Sequence, residues 1–374
     1  MATLEPASMA PEVSIIVPAR NEEASLGACL ESLVGQEGMR SEIIVVDDNS
    51  SDHTRDIALT FPSVQIVDAG ALPAGWTGKN NAVAAGARHA RGEWLLFTDA
   101  DTVHRPGSLA RALQEAKVFR AALLSYSPEQ EVHGFWEKAL MPVIFAELAC
   151  TYRPRDVCNP KSPVAAANGQ YLLISRIAYD AVGGHAAIAD SLLEDVILAT
   201  KVKGSHRKIR FRYGADAVRT RMYRSFQQLC EGWTKNLALL FPNSTQLAAK
   251  RAAEFVTISG GVLAGVAALI LGRPKLAGTL GGLAGTMYAV HRKRIARANF
   301  SREANFLALF GLPLFSYLLL RSRLSHEEGR VAWKGRLYQQ PRAGETDRVA
   351  SEQPQFTSAC WCSEIANLGR TWFT

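Results

Sequence analysis

The sequence predicts an α/β fold, a doubly wound and mostly parallel sheet followed by a C-terminal helical membrane region. Three observations carry that expectation. Over residues 13–125 short apolar runs alternate with stretches of helical periodicity. Near Val46 and again near Thr98 such a run stops at a pair of aspartates. After Phe255, three long segments contain no Asp, Glu, Lys or Arg.

The elements follow in order. Residues 1–12 lack the basic start and apolar run of a secretory signal, so the N-terminal part is expected to stay on the side where it is made. Val13–Pro18, Glu42–Asp48, Val64–Val67 and Glu93–Thr98 are rich in β-branched or aromatic residues and end at polar residues or proline, the marks of strands. Between them Glu22–Leu33, Ser51–Thr60 and Asn80–Ala90 place apolar residues at helical spacing. Strand, helix, strand repetition implies parallel strands joined by crossover helices. In such sheets ligands collect beyond the carboxyl ends of the strands. Residues 126–250 have few clean periods and a basic stretch from Lys201 to Arg224.

The C-terminal segments are Phe255–Gly272, Leu276–Val290 and Ala304–Leu320. A span needs roughly 20 apolar residues, fewer when flanking side chains snorkel. The second segment is short, but Pro274-Lys275 makes a tight link before it and Arg292, Lys293, Arg294 and Arg297 follow it. Gly260, Gly261, Gly265, Gly278, Gly281, Gly282 and Gly285 suit close helix packing. The basic cluster places that end on the cytoplasmic side, with the first two segments as a hairpin. A complete third span would export Arg321, Arg323, Arg330, Lys334 and Arg336, and Pro313 admits a re-entrant or interfacial helix, so both arrangements stay open. The competing reading is a buried helical layer of a soluble protein. Beyond about Gln340 the chain is polar and patternless, the composition of a disordered tail.

The 374 residues allow two or three domains, and 42 Lys and Arg against 35 Asp and Glu give a charge of +7. A basic balance suits nucleic acid, an anionic membrane or a phosphorylated substrate. The basic residues are not interleaved with aromatics as in nucleic-acid modules, so no nucleic-acid partner is expected. Cys29, Cys150, Cys158, Cys230, Cys360 and Cys362 lack zinc spacing and read as reduced thiols.

The candidate chemistry sits at strand ends. Asp47-Asp48 closes the second strand, where adjacent carboxylates are costly unless used. They are read beside the alternative that Asn49 or Ser51 caps the next helix. Asp99-Ala100-Asp101 closes the fourth, and two carboxylates one residue apart can present oxygens to Mg²⁺ or Mn²⁺ beside substrate phosphates. Glu194-Asp195 precedes an apolar helix-like run, and either supplies a general base or adds acidic charge to a helix start. Lys79 stands before a helix, where a phosphate would meet both its ammonium and free N–H groups, although the pattern is not a P-loop. His104, His133 and His185 have no zinc-like partners and read as structural. Phe135, Trp136, Met141, Val143, Ile144 and Phe145 fit either an acceptor wall or a plain core helix. The Lys201–Arg224 stretch fits a lipid or diphosphate contact, or a solvated basic edge.

In their order, Val17-Pro18-Ala19-Arg20-Asn21-Glu22, Val45-Val46-Asp47-Asp48-Asn49-Ser50, Phe97-Thr98-Asp99-Ala100-Asp101 and Glu194-Asp195 resemble the motifs of glycosyltransferase family 2, inverting enzymes of GT-A fold. The resemblance covers roughly residues 13–240. It implies that Pro18, Ala19, Arg20, Glu22, Asp47 and Asp48 line the nucleobase and ribose, and that Lys79, Asp99 and Ala100 also belong to the nucleotide-sugar site. It further implies that Asp101, with Asp99, holds a divalent cation, that Asp195, beside Glu194, activates the acceptor, and that Gly169, Gln228 and Trp233 contact acceptor or diphosphate. Residues 13–125 would then be the nucleotide-sugar half, 126–250 the acceptor half, 251–325 the membrane helices and 326–374 the C-terminal segment. Processive members carry Gln-x-x-Arg-Trp, whereas here Gln228-Leu229-Cys230-Glu231-Gly232-Trp233 lacks the arginine, which favours a single transfer. The form Glu231-Gly232-Trp233-Thr234-Lys235-Asn236, the membrane segments and Val331-Ala332-Trp333-Lys334-Gly335-Arg336-Leu337-Tyr338 look like the subset associated with hopanoid or carotenoid glycosylation. The implied partners are a UDP- or GDP-sugar, a lipid acceptor of hopanoid, carotenoid or polyprenyl type, and the bilayer of the inner membrane, with the catalytic domain cytoplasmic and the chain multi-pass. The competing functions are a sugar-nucleotide nucleotidyltransferase, for which a Gly-rich loop near the first strand is missing, and an inactive membrane-bound binding subunit.

Overall fold

The computed structural model describes residues 10–333 and 335–338; the expected tail beyond Gln340, Lys334, Cys360 and Cys362 lie outside them. Along the chain come β1 (Val13–Ala19), α1 (Leu26–Val34), β2 (Ser41–Asp47), α2 (Thr54–Leu59), β3 (Val64–Asp68), α3 (Gly78–His89) and β4 (Trp94–Phe97). Next are β5 (Thr102–His104), α4 (Ser108–Phe119), β6 (Leu123–Ser127), β7 (Glu129–Gln130), α5 (Phe135–Thr151) and α6 (Pro154–Cys158). They are followed by β8 (Leu172–Ser175), α7 (Arg176–Ala181), α8 (Glu194–Gly204), β9 (Ile209–Tyr213) and β10 (Val218–Thr220). The last elements are α9 (Phe226–Leu240), α10 (Ser244–Ile270), α11 (Pro274–Ile295), α12 (Arg302–Glu327), β11 (Val331–Trp333) and β12 (Arg336–Tyr338). They form two compact units, one of residues 10–131 and 154–222, the other of residues 132–153 and 223–338.

The first unit is built on a seven-stranded sheet of order β3-β2-β1-β4-β8-β6-β9. β1 runs parallel to β2 and β4, β2 to β3, and β6 to β9, while β8 runs against both β4 and β6. The sheet is therefore mostly parallel with one reversed strand. Both faces are covered, and Ile15, Val17, Ile43, Val45, Leu96 and Leu173 are buried in the core, the continuous apolar strands that two covered faces require. Helix α3 lies close on the sheet because Gly86 has no side chain: a Cβ there would stand 2.5 Å from Ile16 Cγ2.

Two expected helices start later than their periodicity suggests. Backbone N–H groups of Asn21, Glu22 and Glu23 donate to Ser50 Oγ (3.2 Å), Thr54 Oγ1 (2.7 Å) and Asp52 Oδ2 (3.1 Å), and Ser51 N donates to Asn21 Oδ1 (2.9 Å). These bonds hold residues 20–25 and 49–53 as paired loops. Neither Asn49 nor Ser51 caps α2; His53 takes the cap position without a side-chain bond, and Asn49 turns the chain at φ +58°.

In the second unit α10 packs along α11 and α12, and α12 packs on α5 and α9. Gly311 sets the α12–α5 approach, since a Cβ would fall 2.0 Å from Ala139 O. Of the glycines expected at helix contacts, Gly261 faces Ala284 Cβ at 3.0 Å and Gly265 faces Ala277 O at 3.6 Å, whereas Gly278, Gly281, Gly282 and Gly285 face open space. α10 and α12 are long and apolar enough to cross a membrane by length and composition. Leu263, Leu269, Ile270, Leu271, Phe306 and Tyr317 are exposed, more apolar surface than a water-facing helix pair carries.

Arg294, one of the basic residues that follow the second apolar segment, is buried. It pairs with Glu254 Oε1 at 2.8 Å and Glu147 Oε1 at 3.2 Å, and Arg251 pairs with Glu147 Oε1 at 2.9 Å and Glu254 Oε2 at 2.7 Å. His291 Nδ1 lies 2.8 Å from Glu254 Oε1. Two carboxylates and two guanidiniums balance, which is how buried charge is tolerated. In α5 the run Ala139–Ile144 is buried, while Phe135 and Trp136 are exposed.

Candidate active site

The strand order changes sense at β1, with β2 on one side and β4 on the other. A crevice opens beyond the carboxyl ends of such neighbours. A cleft lies there, lined on its polar side by Pro18, Lys79, Asp99, Gly169, Glu194 and Asp195. Val83, Phe97, Leu172 and His185 form its less polar lining.

Lys79 is in the first turn of α3, whose cap Thr77 accepts from Asn80 N. Its ammonium lies 2.7 Å from Asp99 Oδ1 and 2.8 Å from Glu194 Oε1. Burial disfavours that charge, but the Asp99 and Glu194 carboxylates outweigh it and hold Lys79 well above its ordinary pKa. Asp195 follows at the start of α8. Its Oδ2 accepts from Gly169 N (2.8 Å) and its Oδ1 from Val196 N (2.8 Å). Burial, then the Glu194 charge, pushes its carboxyl up to about 6 against the opposing pull of Lys79 and these two N–H groups. A carboxylate poised there is ionised at neutral pH and more basic than a surface aspartate. Gly169 keeps these groups uncrowded: a Cβ would stand 3.2 Å from Lys79 Nζ and 3.4 Å from Glu194 Oε1.

The other candidates are placed as follows. Ala19, Arg20, Glu22, Asp47 and Asp48 sit at the carboxyl ends of β1 and β2, with Ala19 in register with Asp47. Arg20 Nη1 donates to Asp48 O (2.8 Å), Asp47 Oδ1 accepts from Ser50 N (3.1 Å), and Asp47 Oδ2 is 3.5 Å from Arg55. Ser25 Oγ donates to Glu22 Oε2 at 3.1 Å. None of these five lines the cleft, whereas Pro18, one residue before Ala19, does. Ala100 is buried, and Asp101 O accepts from Thr220 Oγ1 at 3.2 Å. Gln228 and Trp233 lie on α9 in the second unit. Gln228 Oε1 accepts from Arg224 N, and buried Trp233 packs edge-on to Phe145 and Tyr223.

His185, read from the sequence as structural, lines the cleft. Its Nδ1 is 3.0 Å from Tyr179 Oη, Phe97 meets its ring edge-on, and burial lowers its pKa to about 4, so it is neutral. The one local signal is Gly183-Gly184, both at positive φ, with no room at Gly184 for a Cβ against the Tyr179 ring (2.6 Å). His104 is buried with Nε2 3.0 Å from Thr98 Oγ1, and desolvation lowers its pKa to about 3.

Among the described residues no group of three or more His, Cys, Asp or Glu side chains is placed to hold a metal. A hard cation commonly binds through one or two carboxylates and substrate phosphates, and of the expected aspartate pair Asp99 lines the cleft. The Lys79 ammonium between Asp99 and Glu194 marks a place where positive charge is favoured.

Residues 14–179 match the model of Glycosyl transferase family 2. The 4,4'-diaponeurosporenoate glycosyltransferase of Staphylococcus aureus strain MRSA252 is 26% identical over 340 residues, 87% of this chain and 88% of that protein. The protein of the same name from strain USA300 is 28% identical over 234 residues, 60% of each. Among solved structures, the mannosyltransferase PcManGT from Pyrobaculum calidifontis in complex with GDP-Man and Mn²⁺ aligns over 85% of this chain and 87% of that one, at 18% identity and TM-score 0.51. That likeness is one of fold, a GT-A-type sheet followed by helices.

Proposed function

The chain is a glycosyltransferase carrying a family 2 domain, and from that premise we propose that it moves one sugar from a nucleotide-diphosphate donor to a membrane lipid with inversion at the anomeric carbon. The observation that carries this reading is the meeting of Lys79, Asp99, Glu194 and Asp195 in one cleft beyond β1 and β4. The acceptor oxygen attacks the anomeric carbon, the carbon–oxygen bond to the diphosphate breaks, and the acceptor proton passes to Asp195 Oδ. Gly169 N–H and Val196 N–H aim that carboxylate. Lys79 meets the charge that grows on the departing diphosphate, at the start of a helix whose free N–H groups favour the same charge. Pro18, Ala19, Arg20, Glu22, Asp47 and Asp48 form the nucleoside side of the site. Asp101 and Asp99 would hold Mg²⁺ or Mn²⁺, which when bound neutralises the diphosphate.

A lipid acceptor is supported by the exposed apolar residues of α10 and α12 and by the carotenoid acid in the names of the relatives. These helices are proposed to enter the inner membrane, with the family 2 domain on the cytoplasmic side. A carotenoid acid would arrive already ionised and need no base, so the proton transfer to Asp195 applies to a hydroxyl acceptor. Membranes containing the protein, given UDP-glucose or GDP-mannose and a carotenoid or hopanoid extract, should yield a lipid heavier by one hexose. Loss of donor with release of pyrophosphate from a nucleoside triphosphate would replace this reading with nucleotidyl transfer, and no turnover of any donor would leave a binding subunit.

A further inference from the structure

Resting on the reading of Lys79, Glu194 and Asp195 as the site, we infer that Asn80 is a positioning residue that ties the segment before the two carboxylates to the helix start bearing Lys79. Asn80 is fully buried. Its Nδ2 lies 2.8 Å from Ile188 O, 3.0 Å from Ala189 O and 3.0 Å from Ser191 O. Thr77 N adds a fourth bond to the same segment, donating to Ala189 O at 2.8 Å. Within a few residues that segment becomes Glu194-Asp195, and one residue before Asn80 is Lys79. Both ends of the 2.8 Å Lys79–Glu194 pair are thus anchored through one amide.

The chemistry of the position is specific. A cluster of carbonyl oxygens needs N–H donors from a short neutral group, and a primary amide supplies two from one atom. Asn80 Oδ1 meanwhile has no hydrogen-bond partner among the described residues, a cost that a purely space-filling residue would not carry. His185, which lines the cleft, stands on the stretch leading into the same segment. Asn80 therefore acts through the carboxylates and not on substrate: it fixes where Glu194 and Asp195 stand relative to Lys79.

The test compares wild type with Asn80→Asp, Asn80→Ser and Asn80→Gln in the full chain. It measures kcat, donor KM and the pH profile with UDP-glucose or GDP-mannose, whichever the wild type uses, alongside thermal unfolding. Asn80→Asp sets a carboxylate against three carbonyls. It should lower kcat about 10²-fold, the scale of a misplacement near 1 Å, with donor KM within about threefold. The acid limb of the profile should shift from its wild-type position as the surroundings of Asp195 change. Asn80→Gln, which keeps both donors, should recover much of the rate. Where Asn80→Asp does not fold, Asn80→Ser, which keeps one donor and adds no charge, is read in the same way. Wild-type transfer with unchanged kcat and pH profile in the variants overturns the inference alone, as does an equal loss in kcat and donor affinity with no pH change. A wild type that transfers from no donor overturns the reading of the site and this inference together.

Discussion

Asp195→Asn separates stability from activity at the site. The Asp195 carboxyl titrates near 6 in the folded chain, against an ordinary value of 3.8. Because the folded value is the higher one, the group favours folding fully below about pH 3.8, and that contribution is lost as pH rises through about 6. At about 1.4 kcal/mol per pH unit, the loss by pH 8 is about 3 kcal/mol. Asparagine never ionises and escapes it. It keeps one acceptor oxygen, however, and turns an NH₂ toward one of the two N–H groups, Gly169 N or Val196 N, that the carboxylate now satisfies. That mismatch costs about 1–2 kcal/mol at every pH. The variant should therefore be more stable than wild type by about 1–2 kcal/mol at pH 8 and less stable by a similar amount at pH 4, with the curves crossing between. Transfer to a hydroxyl acceptor should fall about 10²–10⁴-fold, the worth of a general base, and less for an acceptor that arrives ionised. Denaturant unfolding in detergent across pH 4–8, with transfer measured on the same samples, checks both halves. A wild type at least as stable as the variant at pH 8, or undiminished transfer to an alcohol, would refute the reasoning.

Three further outcomes follow from the geometry. Removing divalent metal with EDTA should stop transfer and adding Mn²⁺ should restore it, while Asp101→Ala should lose at least about 10²-fold and gain nothing from metal; full activity in EDTA would remove the cation from the reading. Gly169→Val should press on Lys79 Nζ and Glu194 Oε1, which a Cβ already reaches at 3.2 and 3.4 Å, lowering kcat about 10²-fold without moving the melting temperature much, and Gly169→Ala should lie between; equal rates in all three proteins would contradict it. Glu254→Gln should leave Arg251 and Arg294 sharing Glu147 alone, destabilising the second unit by about 3–5 kcal/mol, and an unchanged melting transition would show that the cluster carries no such weight.

The acidic strand ends were legible because their signal is local. Asp47-Asp48 and Asp99-Ala100-Asp101 each close a buried strand, and a strand read from its apolar run carries its polar terminus with it. Lys79 and Glu194 could be named from their helix starts, but their 2.8 Å pairing joins positions far apart in the chain, and periodicity holds no information about such distances. Gly169 and His185 had weaker marks still. A glycine is silent about which neighbour needs its missing side chain, and a lone histidine in a Gly-Ala stretch does not disclose that its ring borders a cleft. Arg294 shows another limit: a run of basic residues does not disclose that one member turns inward to Glu147 and Glu254.

The sequence by itself determined the α/β class, the aspartate-terminated strands and the uncharged helices of the C-terminal region, since each follows from which residues are apolar and at what period. The tertiary structure alone decided that β8 runs against its neighbours, that residues 132–153 pack with the C-terminal helices, and that Asn80 holds the segment leading to Glu194-Asp195. The physical reason is the same in each case. Period and composition fix what one element buries, whereas pairing, packing partner and the burial of a single charge depend on groups that meet only when the chain has closed on itself.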